Sequence, residues 1–119
     1  MRREIPPPQW AQALESFTLQ HDRWLVTVET IRDGQQKVLL ADKPLDGVTT
    51  SGIEGSREIV ITTGGSTSSH NRMTIRDAAR LEIESADGVD QAIRIEDGSG
   101  TVTEVKLRTP MPPELVDGM

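Results

Sequence analysis

The stretch IRIEDGSGTVTE, in the last third of the chain, contains the residues best spaced to bind a metal ion. An EF-hand calcium loop needs oxygen ligands at positions 1, 3 and 5, glycine at position 6 and glutamate at position 12. With Gly100 at position 6, Asp97 and Ser99 supply positions 3 and 5. Ile95 and Lys106 then fall at positions 1 and 12, where an aliphatic group and an ammonium group cannot bind calcium. The segment is therefore predicted to be the turn of a β-hairpin.

A second candidate is the stretch GGSTSSH, which places three serines beside a histidine. A hydrolase-type nucleophile lies in a G-x-S-x-G elbow, and a phosphate-binding loop reads G-x-x-x-x-G-K-[ST]. Neither pattern occurs here, so the stretch is predicted to be a loop. A hydrolase that uses His70 with Ser66, Ser68 or Ser69 is kept as a third hypothesis for the function.

Metal-binding and acid–base residues are not grouped at useful spacings. The chain has two histidines, His21 and His70, and no cysteine, whereas a zinc site needs three or four ligands. The absence of cysteine also excludes disulfide bonds. The carboxylates of Glu82 and Glu84 are predicted on the wet face of a strand, where nothing distinguishes an acid from a base. No catalytic residue, cofactor or metal site is predicted, and the chain is expected not to be an enzyme.

The segment QWAQALESFTLQHDR predicts an α-helix over about residues 8–21. Prolines precede it, and they are tolerated in a first helical turn, where an amide would lack a partner. One helical face carries residues at i, i+4, i+7 and i+11, namely Trp10, Leu14, Phe17 and His21. The helix is therefore predicted to cover the core. Its aromatic residues and that of the next strand are the predicted ligand or interface surface: Trp10, Phe17, His21 and Trp24.

From Trp24 onwards the apolar residues alternate with period two, as in half-buried strands. About six antiparallel strands are predicted between residues 24 and 109, with one face buried and one face wet. Arg94 is expected to pair across strands with Glu82 or Glu104. The fold class is mainly β (α+β): an N-terminal α-helix on a twisted antiparallel meander, either open or curled into a small partly open barrel. A proline-rich tail is predicted over 110–119, since proline cannot continue the ladder.

The length of 119 residues is that of a single domain, predicted over 1–119. Only three residues are aromatic, so the core must be small and mostly aliphatic. A second copy of the chain could complete that core and cover strand edges, which predicts a homodimer.

The charge distribution argues against a nucleic-acid partner. The net charge is −6, and residues 76–119 hold five basic and ten acidic side chains. An acidic surface repels phosphate backbones, whereas binders of DNA or RNA show a basic face. No stretch approaches the roughly 20 apolar residues of a membrane span, and the opening MRR is followed by EIPPP instead of an apolar segment. No membrane partner and a cytoplasmic location are predicted.

The N-terminal stretch IPPPQWAQALESFTLQHDRWLVTVE resembles the start of a family of short bacterial proteins, domain-of-unknown-function family 5335. The middle stretch LADKPLDGVTTSG and the ending VKLRTP are similar to the bend and last strand of that family, whereas the serine-rich segment 64–71 departs from it. The resemblance implies a bacterial, stand-alone domain with a shared fold. It implies no activity, because that family has none assigned. The matching N-terminal positions are Ile5, Pro6, Trp10, Phe17, His21 and residues 24–29.

Two main hypotheses for the function follow. The first is a small, cytoplasmic, non-enzymatic β-rich domain that acts through protein–protein contact or self-association. The alternative is a small-ligand-binding module, with a pocket between the N-terminal helix and the sheet.

Overall fold

The computed structural model describes residues 1–50, 57–64 and 71–109. In this part of the chain, a short strand and a 3-10 turn precede one α-helix and seven further strands. The elements are β1 (Arg2–Ile5), the 3-10 turn (Pro7–Gln9), α1 (Trp10–Gln20), β2 (Leu25–Arg32), β3 (Gln35–Thr50), β4 (Ile59–Thr63), β5 (Asn71–Ile75), β6 (Ala78–Ala86), β7 (Val89–Asp97) and β8 (Val102–Thr109).

The N-terminal helix forms where the apolar stripe predicts it. Pro6 precedes the 3-10 turn, and Pro7 and Pro8 lie in it. The amide of Gln9 donates to the carbonyl of Pro6 over 2.8 Å. The predicted apolar face is buried, with Leu14 completely inaccessible. The helix stops at His21, whose amide donates to the carbonyl of Phe17 over 3.1 Å. Arg23 then takes a positive φ of 67°, which reverses the chain direction into β2.

The strands form one antiparallel sheet in the order β1-β6-β7-β8-β2-β3-β4-β5. The sheet contains two meanders, β2 to β5 and β6 to β8, which meet where β8 pairs with β2. β1 and β5 lie at the two edges, so the sheet is open and does not close into a barrel. The predicted class, an N-terminal helix packed on an antiparallel sheet, is confirmed.

The sheet has eight described strands instead of about six, and one of the additional strands, β1, pairs without apolar alternation. β1 has one buried apolar residue, Ile5, and it pairs with β6 through its backbone. β3 runs through the predicted bend as one strand of 16 residues. The bend takes the form of register shifts on both sides of Pro44, and Asp42 adopts a φ of 54° there.

The core lies between α1 and the inner face of the sheet. Alternation holds along the central strands, since Val26, Val28 and Val105 are completely buried. The helix approaches β3 so closely that a Cβ at Gly47 would lie 3.3 Å from Cγ2 of Thr18. The Thr18 hydroxyl also donates to the carbonyl of Val48 over 3.1 Å, which fixes the helix across β3. No helix in the described ranges is long and apolar enough to cross a membrane.

Candidate functional site

The four predicted site residues lie mostly inside the protein. Trp10, Phe17 and His21 are at most 5% exposed, and Trp24 is half-buried. The indole N–H of Trp10 donates to the carbonyl of Ile5 over 2.7 Å. The Phe17 and His21 ring centroids lie 4.4 Å apart, and Trp24 contacts the His21 ring edge-on at 5.1 Å. The structure therefore brings Phe17, His21 and Trp24 together as a packed cluster. Trp10 lies apart from them, at the N-terminal end of the helix.

His21 closes the C-terminal end of α1. Its Nδ1 lies 2.8 Å from the carbonyl oxygen of Phe17, and because a carbonyl only accepts, Nδ1 carries the hydrogen. Its Nε2 lies 4.0 Å from Oδ2 of Asp90. The described residues include no group of three or more His, Asp or Glu side chains that could hold a metal ion. His21 thus has the contacts of a structural residue.

The DGSGT stretch is the predicted turn. Oδ1 of Asp97 accepts hydrogen bonds from the amide of Ser99 at 2.9 Å, from its hydroxyl at 2.7 Å and from the amide of Thr101 at 3.1 Å. Burial raises the pKa of Asp97, but these hydrogen bonds outweigh burial and hold the pKa below its ordinary value. The carboxylate therefore stabilises the β7–β8 turn, which confirms the hairpin prediction.

The serine-rich loop of the third hypothesis, with His70, Ser66, Ser68 and Ser69, lies outside the described residues, and so does the predicted tail 110–119.

The outer face of the sheet carries a charged row that crosses four strands. Glu82, Arg94, Glu104 and Glu29 lie opposite one another in register on β6, β7, β8 and β2. Arg94 reaches Glu104 over 2.7 Å and Glu82 over 4.0 Å, which confirms both predicted pairings. Lys106 lies 2.9 Å from Glu29. Glu29 and Glu104 are only 7% exposed, so this face is less wet at its centre than predicted.

The pKa of Glu29, which lies at the β2 end of this row, is lowered. The hydrogen bonds from Lys106 and from the side-chain amide of Gln36 lower the pKa of Glu29, and they outweigh the opposing effect of burial. Since every one of these charges has a partner on a neighbouring strand, the row is suited to stabilising the sheet, not to acid–base chemistry.

A groove of about 460 Å³ lies between the edge strand β1 and α1, and we call it the helix groove. One wall comprises consecutive residues of β1, namely Arg3, Glu4 and Ile5. The other wall consists of the last residue of the 3-10 turn and a continuous stripe of α1: Gln9, then Gln12, Ala13, Ser16, Phe17 and Gln20. Ile83 and Asp90 complete the lining. The groove thus combines an apolar base with amide, hydroxyl and charged groups along its rim.

The backbone of β1 is oriented so that half of its polar groups face away from β6. The amide of Ser85 donates to the carbonyl of Met1 over 2.7 Å, and the nitrogen of Met1 donates back to Ser85. Residues of an antiparallel strand alternate between facing their partner and facing away. Arg2 and Glu4 therefore direct their N–H and C=O groups to the outer edge, which we call the free edge. Among the described strands, β1 pairs with β6 alone.

The sequence predicted a pocket between the N-terminal helix and the sheet, but it did not predict β1, which forms one wall of the helix groove. The first five residues contain three charges and one buried apolar residue, Ile5, so no alternation marks a strand there. The groove follows from the pairing of β1 with β6, a contact between residues about 80 positions apart in the chain. The sequence does carry one signal for the groove, a polar stripe of α1 that lies beside the buried stripe. The polar stripe contains Gln12, Ser16 and Gln20.

No protein-family model matches this sequence, and no curated protein or solved structure is significantly similar to it. The resemblance to family 5335 therefore stays a prediction.

Proposed function

We propose that this protein is a non-enzymatic binding domain that acts through protein–protein contact, and that it accepts an extended chain segment in the helix groove. The observation that supports the proposal is the geometry of the two walls. The free edge of β1 offers N–H and C=O groups that no other described strand pairs with, and residues of β1 and of α1 line the same groove. Added strands dock in this way, with backbone hydrogen bonds providing affinity and side-chain pockets providing specificity.

The lining of the groove favours a particular kind of segment. Phe17, Ile5 and Ile83 form an apolar base, so one side chain of the added strand should be apolar. The glutamines and Ser16 along α1 can donate and accept hydrogen bonds, which suits polar side chains on either side of that apolar residue. Edge strands that lack a neighbour are otherwise a route to aggregation, so a partner strand here would also protect the fold.

A selection from a displayed peptide library tests the proposal. Arg2→Pro removes an amide that faces the free edge and leaves the hydrogen bonds between β1 and β6 in place. Ser16→Trp fills the groove from the exposed side of the helix. Peptides selected on the wild-type protein should bind both variants at least tenfold more weakly. The control Glu15→Trp adds the same bulk on an exposed helical position outside the groove, and it should retain binding.

Equal binding of the selected peptides to Arg2→Pro and to the wild-type protein would rule out strand addition at β1. Thermal unfolding of each variant, followed by circular dichroism, shows whether a loss of binding reflects a loss of the fold instead.

The volume of the helix groove supports a second candidate, the binding of a small molecule. Ligand pockets occupy about 300–1,000 Å³, and the groove is within that range. A small molecule would contact the side chains of the groove and would not need the backbone edge. In ligand-observed NMR with a fragment library, binding should then be blocked by Ser16→Trp and unaffected by Arg2→Pro. Sensitivity to both variants would favour the extended segment.

A further inference from the structure

We propose that the partner at the free edge is the β1 strand of a second copy, paired antiparallel about a two-fold axis. This inference rests on the proposed function, because it uses the same edge. It identifies the partner and also the register. The two arguments for it are the phase of the backbone hydrogen bonds along β1 and the order of charges in the strand.

Symmetry permits few registers. A two-fold axis perpendicular to an antiparallel pair must pass between a residue and its own symmetry mate, because neighbouring pairs differ in hydrogen bonding. With the axis at Arg3, Arg2 of one copy lies opposite Glu4 of the other, and the same pair recurs on the other side of the axis. Arg2 and Glu4 are the residues whose N–H and C=O groups face the free edge. Both pairs can therefore exchange two backbone hydrogen bonds, as the pattern requires.

The same register is the one that matches the charges. Each copy would place the guanidinium of Arg2 directly across from the carboxylate of Glu4 on the second copy, twice per dimer. Within one chain, Arg2 lies opposite Glu84 on β6, so its guanidinium would then have a carboxylate on either side. An axis at Arg2 or at Glu4 would also place two like charges together, and it would lose both Arg2–Glu4 pairs, which disfavours those registers.

One contact opposes the pairing. On the helix side of the strand, the Arg3 side chains of the two copies would lie opposite each other as like charges, at a place where the lining of the groove favours an apolar side chain. Removing the charge with Arg3→Gln should accordingly tighten the dimer several-fold.

Charge reversal tests the register directly. Sedimentation velocity over a range of concentrations should show a dimer for the wild-type protein. Arg2→Glu and Glu4→Arg alone should each weaken it about tenfold or more, since every reversal creates two like-charge pairs in the dimer. The double variant Arg2→Glu with Glu4→Arg should return the dissociation constant to within about threefold of the wild-type value. Arg72→Glu, an exposed change on the opposite edge strand β5, is the matched control and should leave it unchanged.

The outcomes separate this inference from the proposed function. A monomeric wild-type protein that still selects peptides sensitive to Arg2→Pro would overturn the dimer and leave the strand-accepting site intact. If Arg2→Glu leaves the dissociation constant of the dimer unchanged and Arg72→Glu raises it, the inference would be overturned and the dimer would form through the β5 edge. If each single variant is folded and monomeric but the double variant does not regain the dissociation constant of the wild-type dimer, the proposed register would be contradicted.

Discussion

Two neighbouring residue pairs on β2 and β8 show that the two faces of the sheet are stabilised by different interactions. Val28 lies opposite Val105 on the inner face, and both are completely buried. One position along, Glu29 lies opposite Glu104 on the outer face, and both are only 7% exposed. The valines gain stability by leaving water. The glutamates are tolerated only because each has its own cation.

Apolar and charged side chains that are buried to a similar degree can thus affect the stability of the fold in opposite ways. The helix and the inner face contribute the free energy of apolar burial, which does not depend on a particular partner. The charged row gains little over exposed charges when it is complete, but it loses stability when one partner is removed and a buried charge is left alone. The effects of substitutions on the free energy of unfolding should therefore differ between the two faces in their magnitude, in their additivity and in their dependence on pH.

The largest effect is expected from the inner face. Phe17→Ala removes a ring that is 2% exposed and leaves a cavity beneath the helix, which should lower the free energy of unfolding by about 3–5 kcal/mol. Urea denaturation followed by circular dichroism measures this loss. Leu19→Ala is the control on the same helix, since Leu19 is 74% exposed and should change stability by about 0.5 kcal/mol or less. Equal effects of the two variants would mean that the helix does not pack as described.

A smaller effect is expected from the charged row. Lys106→Met leaves the buried carboxylate of Glu29 with Gln36 as its remaining side-chain donor, at an expected loss of about 1–3 kcal/mol. Lys43→Met on β3 is the control, because Lys43 is exposed and its loss should cost about 0.5 kcal/mol or less. Adding Glu29→Gln to Lys106→Met should recover part of the stability. Simple additivity of the two changes would show that they are not coupled.

The smallest effect concerns pH, and it should be confined to the outer face and the β7–β8 turn. The pKa of Glu29 in the folded protein lies below its ordinary value of 4.5, so its stabilisation is complete above that pH. The stabilisation is lost as the pH falls through the lowered pKa, when the unfolded chain binds more protons than the folded one. Urea denaturation at several pH values from 7 downwards should show stability declining below about 4.5.

Glu29→Gln should make that decline shallower, whereas Phe17→Ala should lower stability by the same amount at every pH. A pH profile of Glu29→Gln that is parallel to the wild-type profile would show that Glu29 contributes nothing to the pH dependence. Asp97, whose pKa is also lowered, should account for a part of the decline that remains in Glu29→Gln.

The features that could be predicted from the sequence are those that depend on short-range periodicity. The helix follows from the spacing of Trp10, Leu14 and Phe17, and the strands of the last third follow from strict alternation. The β7–β8 turn follows from Asp and Gly residues between alternating segments. The β1 wall of the helix groove could not be predicted, because it requires knowing which strand lies beside β1. The burial of Glu29 was missed for the same kind of reason, since it depends on Lys106 and Gln36 from two other strands.

The sequence by itself determined the local conformations and the inner face, because the side-chain period of a helix or strand is a property of the backbone. Only the tertiary structure decided the order of strands. The pairings of β8 with β2 and of β1 with β6 join residues far apart in the chain, and nothing local favours one distant edge over another. The free edge, the β1 wall of the helix groove and the ion pair between Lys106 and Glu29 all follow from those two pairings.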